Sequence, residues 1–424
     1  MATRRLQGAR WPLVLLLPWL GCSTELEIKG NTERVIGEKV TIELLQGDPT
    51  LSGRVNLRDA QGRVYENEAL NILHPDDRNL SFVIPPGIAQ GAAIAELSKS
   101  GESGVYSLPI SISRLAVGVH ADGSVEIIPL LPKPLTNQTF PASTSMGSSR
   151  EVAISPLSAL TATLIGDELA FHFLGKEVQH VAAVVAAEGK LAALPSGALV
   201  ATPSSLHVFT HIPGKGTSDA GSLTFPAGEI VRAVATSADG DWAMVLTSCS
   251  STAEGDCLVQ IDLRGTTPTR GAEVRLDNVV SATQLSLRAD GSGALIPDGP
   301  ILHGVTFIGT TAELSDIAWD GAEPSSVAHT RAIINEQPSD LFAVAAKGVN
   351  AVRMMGFKNN ILLGIRDAEI KLNFAPDHIS FGAGTNLYIL SGQTLYSANA
   401  ASSATPTPLA TAPSGPLERF AVQP

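Results

Sequence analysis

The chain has 424 residues and is 44% hydrophobic but only 5% aromatic and 17% charged, with 39 Gly and 27 Pro. That much apolar material builds cores and excludes wholesale disorder, while Gly and Pro spread through the chain exclude long helices in favour of short strands and turns. The net charge of -12, with only 29 Lys and Arg, argues against a nucleic-acid partner.

The first residues read as an export signal. Arg4, Arg5 and Arg10 form a basic head with no acidic residue before Glu25, and the apolar run Trp11–Leu20 follows with two prolines inside it. Such a run is too short to cross a bilayer and suits the hydrophobic segment of a signal peptide. It ends in Leu20-Gly21-Cys22-Ser23. This tetrad resembles the lipobox of bacterial lipoproteins, although Trp19 stands where that family usually carries Leu. The resemblance implies that residues 1–21 are removed and that Cys22 is acylated and becomes the first residue. The absence of Asp after the cysteine implies an outer-membrane address, facing the periplasm or the exterior. A lipid on Cys22 would leave Cys249 and Cys257, which lie on either side of a polar insert between two apolar runs. In an oxidising compartment that arrangement predicts a local disulfide at the base of a hairpin.

Residues 22–113 alternate apolar and polar positions between turn signals. Val40-Thr41-Ile42-Glu43-Leu44, the Val55-to-Tyr65 hairpin around Gly62, Leu80–Ile84, Ala92–Leu97 and Val105–Ile112 predict about seven short strands, the pattern of an immunoglobulin-like sandwich. Gly37 before Val40-Thr41-Ile42, then Val83-Ile84-Pro85-Pro86-Gly87, then Tyr106-Ser107-Leu108 resemble the IPT/TIG domain. That resemblance implies a spacer or interaction module.

From 114 to 424 a strand ending in Ala-x-Gly recurs: Ala121-Asp122-Gly123, Ala187-Glu188-Gly189, Ala238-Asp239-Gly240, Ala289-Asp290-Gly291 and Ala346-Lys347-Gly348, with a degenerate copy at Phe381-Gly382-Ala383-Gly384. Apolar residues two and four positions before the Ala, with Thr236 as the one polar member, give period two into a tight turn, and the Asp caps that turn. No copy carries the alternating carboxylates of a calcium loop. The array resembles divergent bacterial β-propellers of the YVTN/WD-repeat-like class, Ala238–Val245 most closely, which implies six or seven blades with one copy opening each. A parallel β-solenoid is the structural alternative. Leu417–Val422 is expected to close the ring against Leu115-Ala116-Val117, and Ala400–Pro416 to form a loose loop.

Little in the sequence specifies chemistry. There is no nucleophile elbow, zincin helix or phosphate loop. His207 and His211 share a strand face but have no third metal ligand near them in sequence. Asp316, Trp319, Asp320 and Glu323 place carboxylates around an indole, a combination that can contact a sugar. The sequence therefore predicts an all-β chain without cofactor, a small sandwich followed by a propeller. It further predicts a lipid-anchored, non-enzymatic platform for a protein or glycan partner. The alternative is a propeller enzyme, a hydrolase or lyase acting on envelope polysaccharide.

Overall fold

The structure, a computed structural model, describes residues 26–423 except 29–31, 45–54, 68–78, 99–104, 131–136, 142–148, 159, 174–175, 182–187, 213–214, 250–254, 278, 280–281, 320–321, 335–336, 383, 403 and 410–411. Cys22, Ala187 and Asp320 lie outside the described residues. Every regular element described is a strand.

Two sheets form the N-terminal part. One runs β1 (Leu26–Ile28), β3 (Lys39–Leu44), β6 (Asn79–Val83). The other runs β2 (Glu33–Val35), β8 (Val105–Ser113), β7 (Gly91–Ser98), β4 (Val55–Arg58), β5 (Val64–Asn67), antiparallel except for the β2–β8 pair. Alternate residues face inward, as period two requires. Val40, Ile42 and Phe82 of the first sheet meet Val55, Leu57, Ala93, Ala95, Ile110 and Ile112 of the second in one buried cluster. The Val55-to-Tyr65 hairpin closes over Asp59, whose carboxylate accepts the amides of Gln61 and Arg63, each at 2.9 Å.

After this sandwich come seven four-stranded antiparallel sheets, the blades of a β-propeller. Blade 1 is β12 (Arg150–Ile154), β13 (Leu160–Ile165), β14 (Glu168–Phe173), β15 (Lys176–Val181), and blade 2 is β16 (Lys190–Leu194), β17 (Gly197–Ala201), β18 (Ser205–Ile212), β19 (Gly216–Thr224). Blade 3 is β20 (Val231–Thr236), β21 (Trp242–Ser248), β22 (Asp256–Asp262), β23 (Thr269–Leu276), and blade 4 is β24 (Ser286–Leu287), β25 (Gly293–Asp298), β26 (Ile301–Ile308), β27 (Thr311–Ala318). Blade 5 is β28 (Pro324–Ile334), β29 (Gln337–Ala346), β30 (Ala351–Lys358), β31 (Ile361–Lys371). Blade 6 is β32 (His378–Phe381), β33 (Asn386–Ser391), β34 (Thr394–Asn399), β35 (Thr407–Pro408).

Blade 7 joins both ends of the ring: β9 (Leu115–His120), β10 (Val125–Pro129) and β11 (Gln138–Phe140) take β36 (Leu417–Val422) as their innermost strand. The expected closure is present, with Ala421 opposite Val117 and Val422 opposite Ala116. Closing the ring leaves no open end to the array.

Position within a blade explains composition. Middle strands are covered by both neighbouring blades, so β21 buries Ala243-Met244-Val245-Leu246 without interruption. Outer strands keep the alternation, as in β23. Inner strands crowd at the axis, where Ala193, Ala235, Ala328 and Ala421 face the channel.

The Ala-x-Gly copies do not mark one place in each blade. Those at 238–240 and 289–291 join first and second strands, whereas those at 121–123 and 346–348 join second and third strands, on the opposite face. Glu188-Gly189 leads into β16. The copies look alike because all are tight hairpin turns. Gly240 has φ +77° and Gly291 φ +67°, and a Cβ there would lie 2.4 Å from Pro195 and 2.5 Å from Trp242 of the preceding blade. The capping expectation holds: Asp122, Asp239 and Asp290 each accept the amide two residues on, at 2.8–3.0 Å.

The stretch 400–416 is not a loose loop where it is described. It contributes β35, and Ser414 donates its amide and hydroxyl to the fully buried carboxylate of Glu126, which also accepts from Asn137 and contacts His120. Glu126 occupies the position where the other full Ala-x-Gly copies carry Ala. The buried charge explains the departure.

Sandwich and propeller are joined through one residue, Arg114. Its side chain is fully buried. Nη2 donates to the Ile88 carbonyl of the sandwich at 2.9 Å and Nη1 to the Gln423 carbonyl after β36 at 3.1 Å. The Gln423 side chain donates to the carbonyls of Ile36 and Ser158, and Tyr388 of blade 6 donates to Gln90 of the sandwich at 2.9 Å. Burial lowers the Arg114 pKa to about 10, still well above neutrality. Replacing Arg114 by Met keeps the volume but leaves two buried carbonyls without these donors, each costing about 1–3 kcal/mol. Arg114→Met is therefore expected to turn one cooperative unfolding transition into two and to expose the junction to limited proteolysis.

Candidate functional site: the axial channel

The seven inner strands run in the same direction around the axis and enclose a channel in two chambers. The starts of the strands line an upper chamber of about 290 Å³, including Glu151, Lys190, Gln284, Ser326, His378 and Arg419. Their ends line a lower chamber of about 330 Å³, mainly Ala, Ser and aliphatic side chains with His329. Leu285, Val327, Ile379 and Phe420 border both chambers and form an apolar waist. The sandwich joins the propeller where β36 ends, beside the lower chamber, so the upper chamber opens on the opposite face.

In the upper chamber Glu151 lies 3.4 Å from Lys190 Nζ and 3.5 Å from Arg419 Nε. Lys190 and Arg419 keep 30% and 45% of their side chains exposed. Burial, and then the Arg419 charge, lower the pKa of His378 despite a backbone hydrogen bond and Asp377 acting the other way. His378 is therefore neutral at pH 7. In the lower chamber, His329 Nε2 lies 2.8 Å from Asp340, which also accepts from Arg288 and the Ala289 amide. Burial opposes ionisation of Asp340, but these hydrogen bonds outweigh it and hold its pKa far below the ordinary carboxylate range. The arrangement fixes the imidazole against Phe342, at a centroid distance of 4.7 Å.

None of these residues stands out in sequence, because the charged residues of the upper chamber, Glu151, Lys190, His378 and Arg419, each lie on a different inner strand. These four share only a place within the first three residues of a short inner strand.

The residues singled out from sequence lie elsewhere. Cys249 and Cys257 form the expected disulfide across the β21–β22 connection, on the upper face. His207 is held by Ser205, and His211 is buried, hydrogen-bonded to Thr217 and stacked on Phe171, with its pKa lowered by burial. Asp316 and Trp319 do not form a ligand-facing pair. Asp316 sits on the outer strand β27 and bonds His303 at 2.8 Å, while Trp319 is 2% exposed in the core with Arg353 over its ring. Glu323 is exposed, and its carbonyl accepts the Lys347 amide.

No family model matches the chain. No curated protein matches it either. Among solved structures it is similar to a 6-phosphogluconolactonase-like protein from Bacteroides fragilis, at 8% identity and TM-score 0.52, covering 73% of this chain and 97% of that one. It is also similar to a protein from Lactobacillus plantarum, at 11% identity and TM-score 0.51, covering 73% and 98%. Both are propeller-like, and the likeness is one of fold alone.

On the same upper face, Asp256 beside the disulfide is 1% exposed, and Arg232 lies 3.4 Å away. Burial raises its pKa to about 6, with Arg232 opposing and Asp298 adding to the rise. A carboxyl raised in the folded state binds protons more tightly there, so stability falls as pH rises from the unfolded value to the folded one, and the full penalty is present above it. Asp256→Asn is expected to raise the melting temperature at pH 8. That gain should shrink as pH falls through 6 and vanish below the unfolded carboxyl pKa of about 4.

Proposed function

We propose that this chain is an outer-membrane lipoprotein, anchored through Cys22, in which an immunoglobulin-like sandwich of the IPT/TIG type carries a seven-bladed propeller as a non-enzymatic binding platform. The observation that carries the reading is the placement of the sandwich. It follows directly on the lipobox-like tetrad in sequence and joins the propeller beside the lower chamber. An anchor at that end points the upper mouth away from the membrane, toward a protein or glycan partner.

The chemistry of the channel supports a binding role over catalysis. Among the described residues lining the two chambers Glu151 is the single carboxylate, whereas glycoside hydrolysis uses two. The His329–Asp340 pair is the one feature favouring an enzyme, and there the nitrogen facing Asp340 is already engaged.

Mass spectrometry of the protein from its native host tests the anchor. The expected mature N-terminal peptide begins at Cys22 with a thioether-linked diacylglycerol, and Cys22→Ala should release the protein into the soluble fraction. An unmodified N-terminus at any other residue contradicts the proposal.

A further inference from the structure

We propose that the axial channel is a binding site for a small amphiphilic monoanion, a carboxylate carrying an alkyl or aryl tail, with its head in the upper chamber and its tail through the waist. Such a site is distinct from the platform role and does not depend on the membrane anchor.

Charge selects the head. The chain as a whole carries -12, yet the upper chamber is lined by two basic side chains, Lys190 and Arg419, and one acidic one, Glu151. Glu151 pairs with both cations, at 3.4 and 3.5 Å, and one carboxylate shared between two cations neutralises only one of the two charges. Lys190 has three donors, and Glu151 occupies one of them. Arg419 sends Nη1 to the Glu418 carbonyl, and its guanidinium keeps further N–H groups for a ligand. His378 is neutral at pH 7, and Asp377 beyond it accepts the Gly392 amide and does not line the chamber. The balance of one positive charge matches a monoanion rather than a phosphate dianion. Gln284 and Ser326 add polar groups at the same level.

Shape and polarity select the tail. Below the head, Leu285, Val327, Ile379 and Phe420 offer only hydrocarbon. Beneath them, Ala193, Ala235 and Ala328 leave the room that larger side chains would fill. Each chamber is of the size that holds a small organic molecule. The upper lining is the more polar of the two, which places the head there; Ser237, Ser286, Ser380 and His329 also line the lower chamber, so the hydrocarbon contact concentrates at the waist.

Calorimetric titration of the purified protein with butyrate, hexanoate and octanoate tests this. The expected result is saturable 1:1 binding that tightens by about fourfold for each methylene that is buried. Octanol and octyltrimethylammonium should bind at least about tenfold more weakly, the scale of one charge-assisted contact. Lys190→Gln with Arg419→Gln should weaken all three carboxylates while leaving the chain-length increment unchanged, and Ala193→Leu with Ala235→Leu should flatten that increment. Glu151→Gln, which removes the competing carboxylate, should tighten binding and keeps the test decisive if the other variants misfold. Absence of saturable octanoate binding at millimolar concentration, or equal binding of octanoate and octyltrimethylammonium, overturns the proposal.

Discussion

Arg114 is the single residue between the last strand of the sandwich and the first strand of the propeller, and its guanidinium reaches both. A buried cation is expensive to desolvate, and it persists only where its N–H groups meet oxygen acceptors. Here the Ile88 carbonyl belongs to the sandwich and the Gln423 carbonyl to the end of the chain. The requirement to satisfy one charge therefore brings together the domain junction and the end of the closing strand. Gln423 extends the network to Ile36 and Ser158, and Tyr388 with Gln90 adds a second bridge. A one-residue connection with such a network leaves the sandwich little freedom to swing.

The same network stands at the seam of the ring. The Gln423 amide donates to the Leu115 carbonyl at 2.9 Å, directly beyond the pairing of β36 with β9. A propeller gains its stability from blade-to-blade burial, and such burial is complete only when the first and last blades are held together. Blade 7 holds them by sharing its strands between the two ends of the chain. Glu126 supports that seam on the upper face by gripping the segment before β36. The inner face of β36 contributes Arg419 to the upper chamber and Ala421 to the lower one, so closure of the ring also completes the channel.

Most of the architecture was legible in the sequence because it rests on local patterning. Period-two alternation located the sandwich strands, the apolar runs flanking Cys249 and Cys257 located their hairpin and disulfide, and the pattern of Leu417–Val422 identified the closing strand. The blade register was not legible. Tight hairpins on both faces use the same Ala-x-Gly chemistry, so the repeats reported turns and not blades. The channel was less legible still, since Glu151, Lys190, His378 and Arg419 are separated by long stretches of chain and meet only through ring geometry. Trp319 shows the converse: an indole among acidic residues reads as a ligand platform, while its size and apolar body suit the core cluster in which it is buried.

The Arg114 network makes sandwich and propeller one rigid body, with the upper mouth held at a fixed place relative to the sandwich. Pulsed electron spin resonance between nitroxides at Gln61 in the sandwich and Thr311 on the outer strand of blade 4, both exposed, tests it most directly. A rigid junction gives a single narrow distance distribution. A broad or multimodal distribution in the otherwise unaltered protein would contradict it.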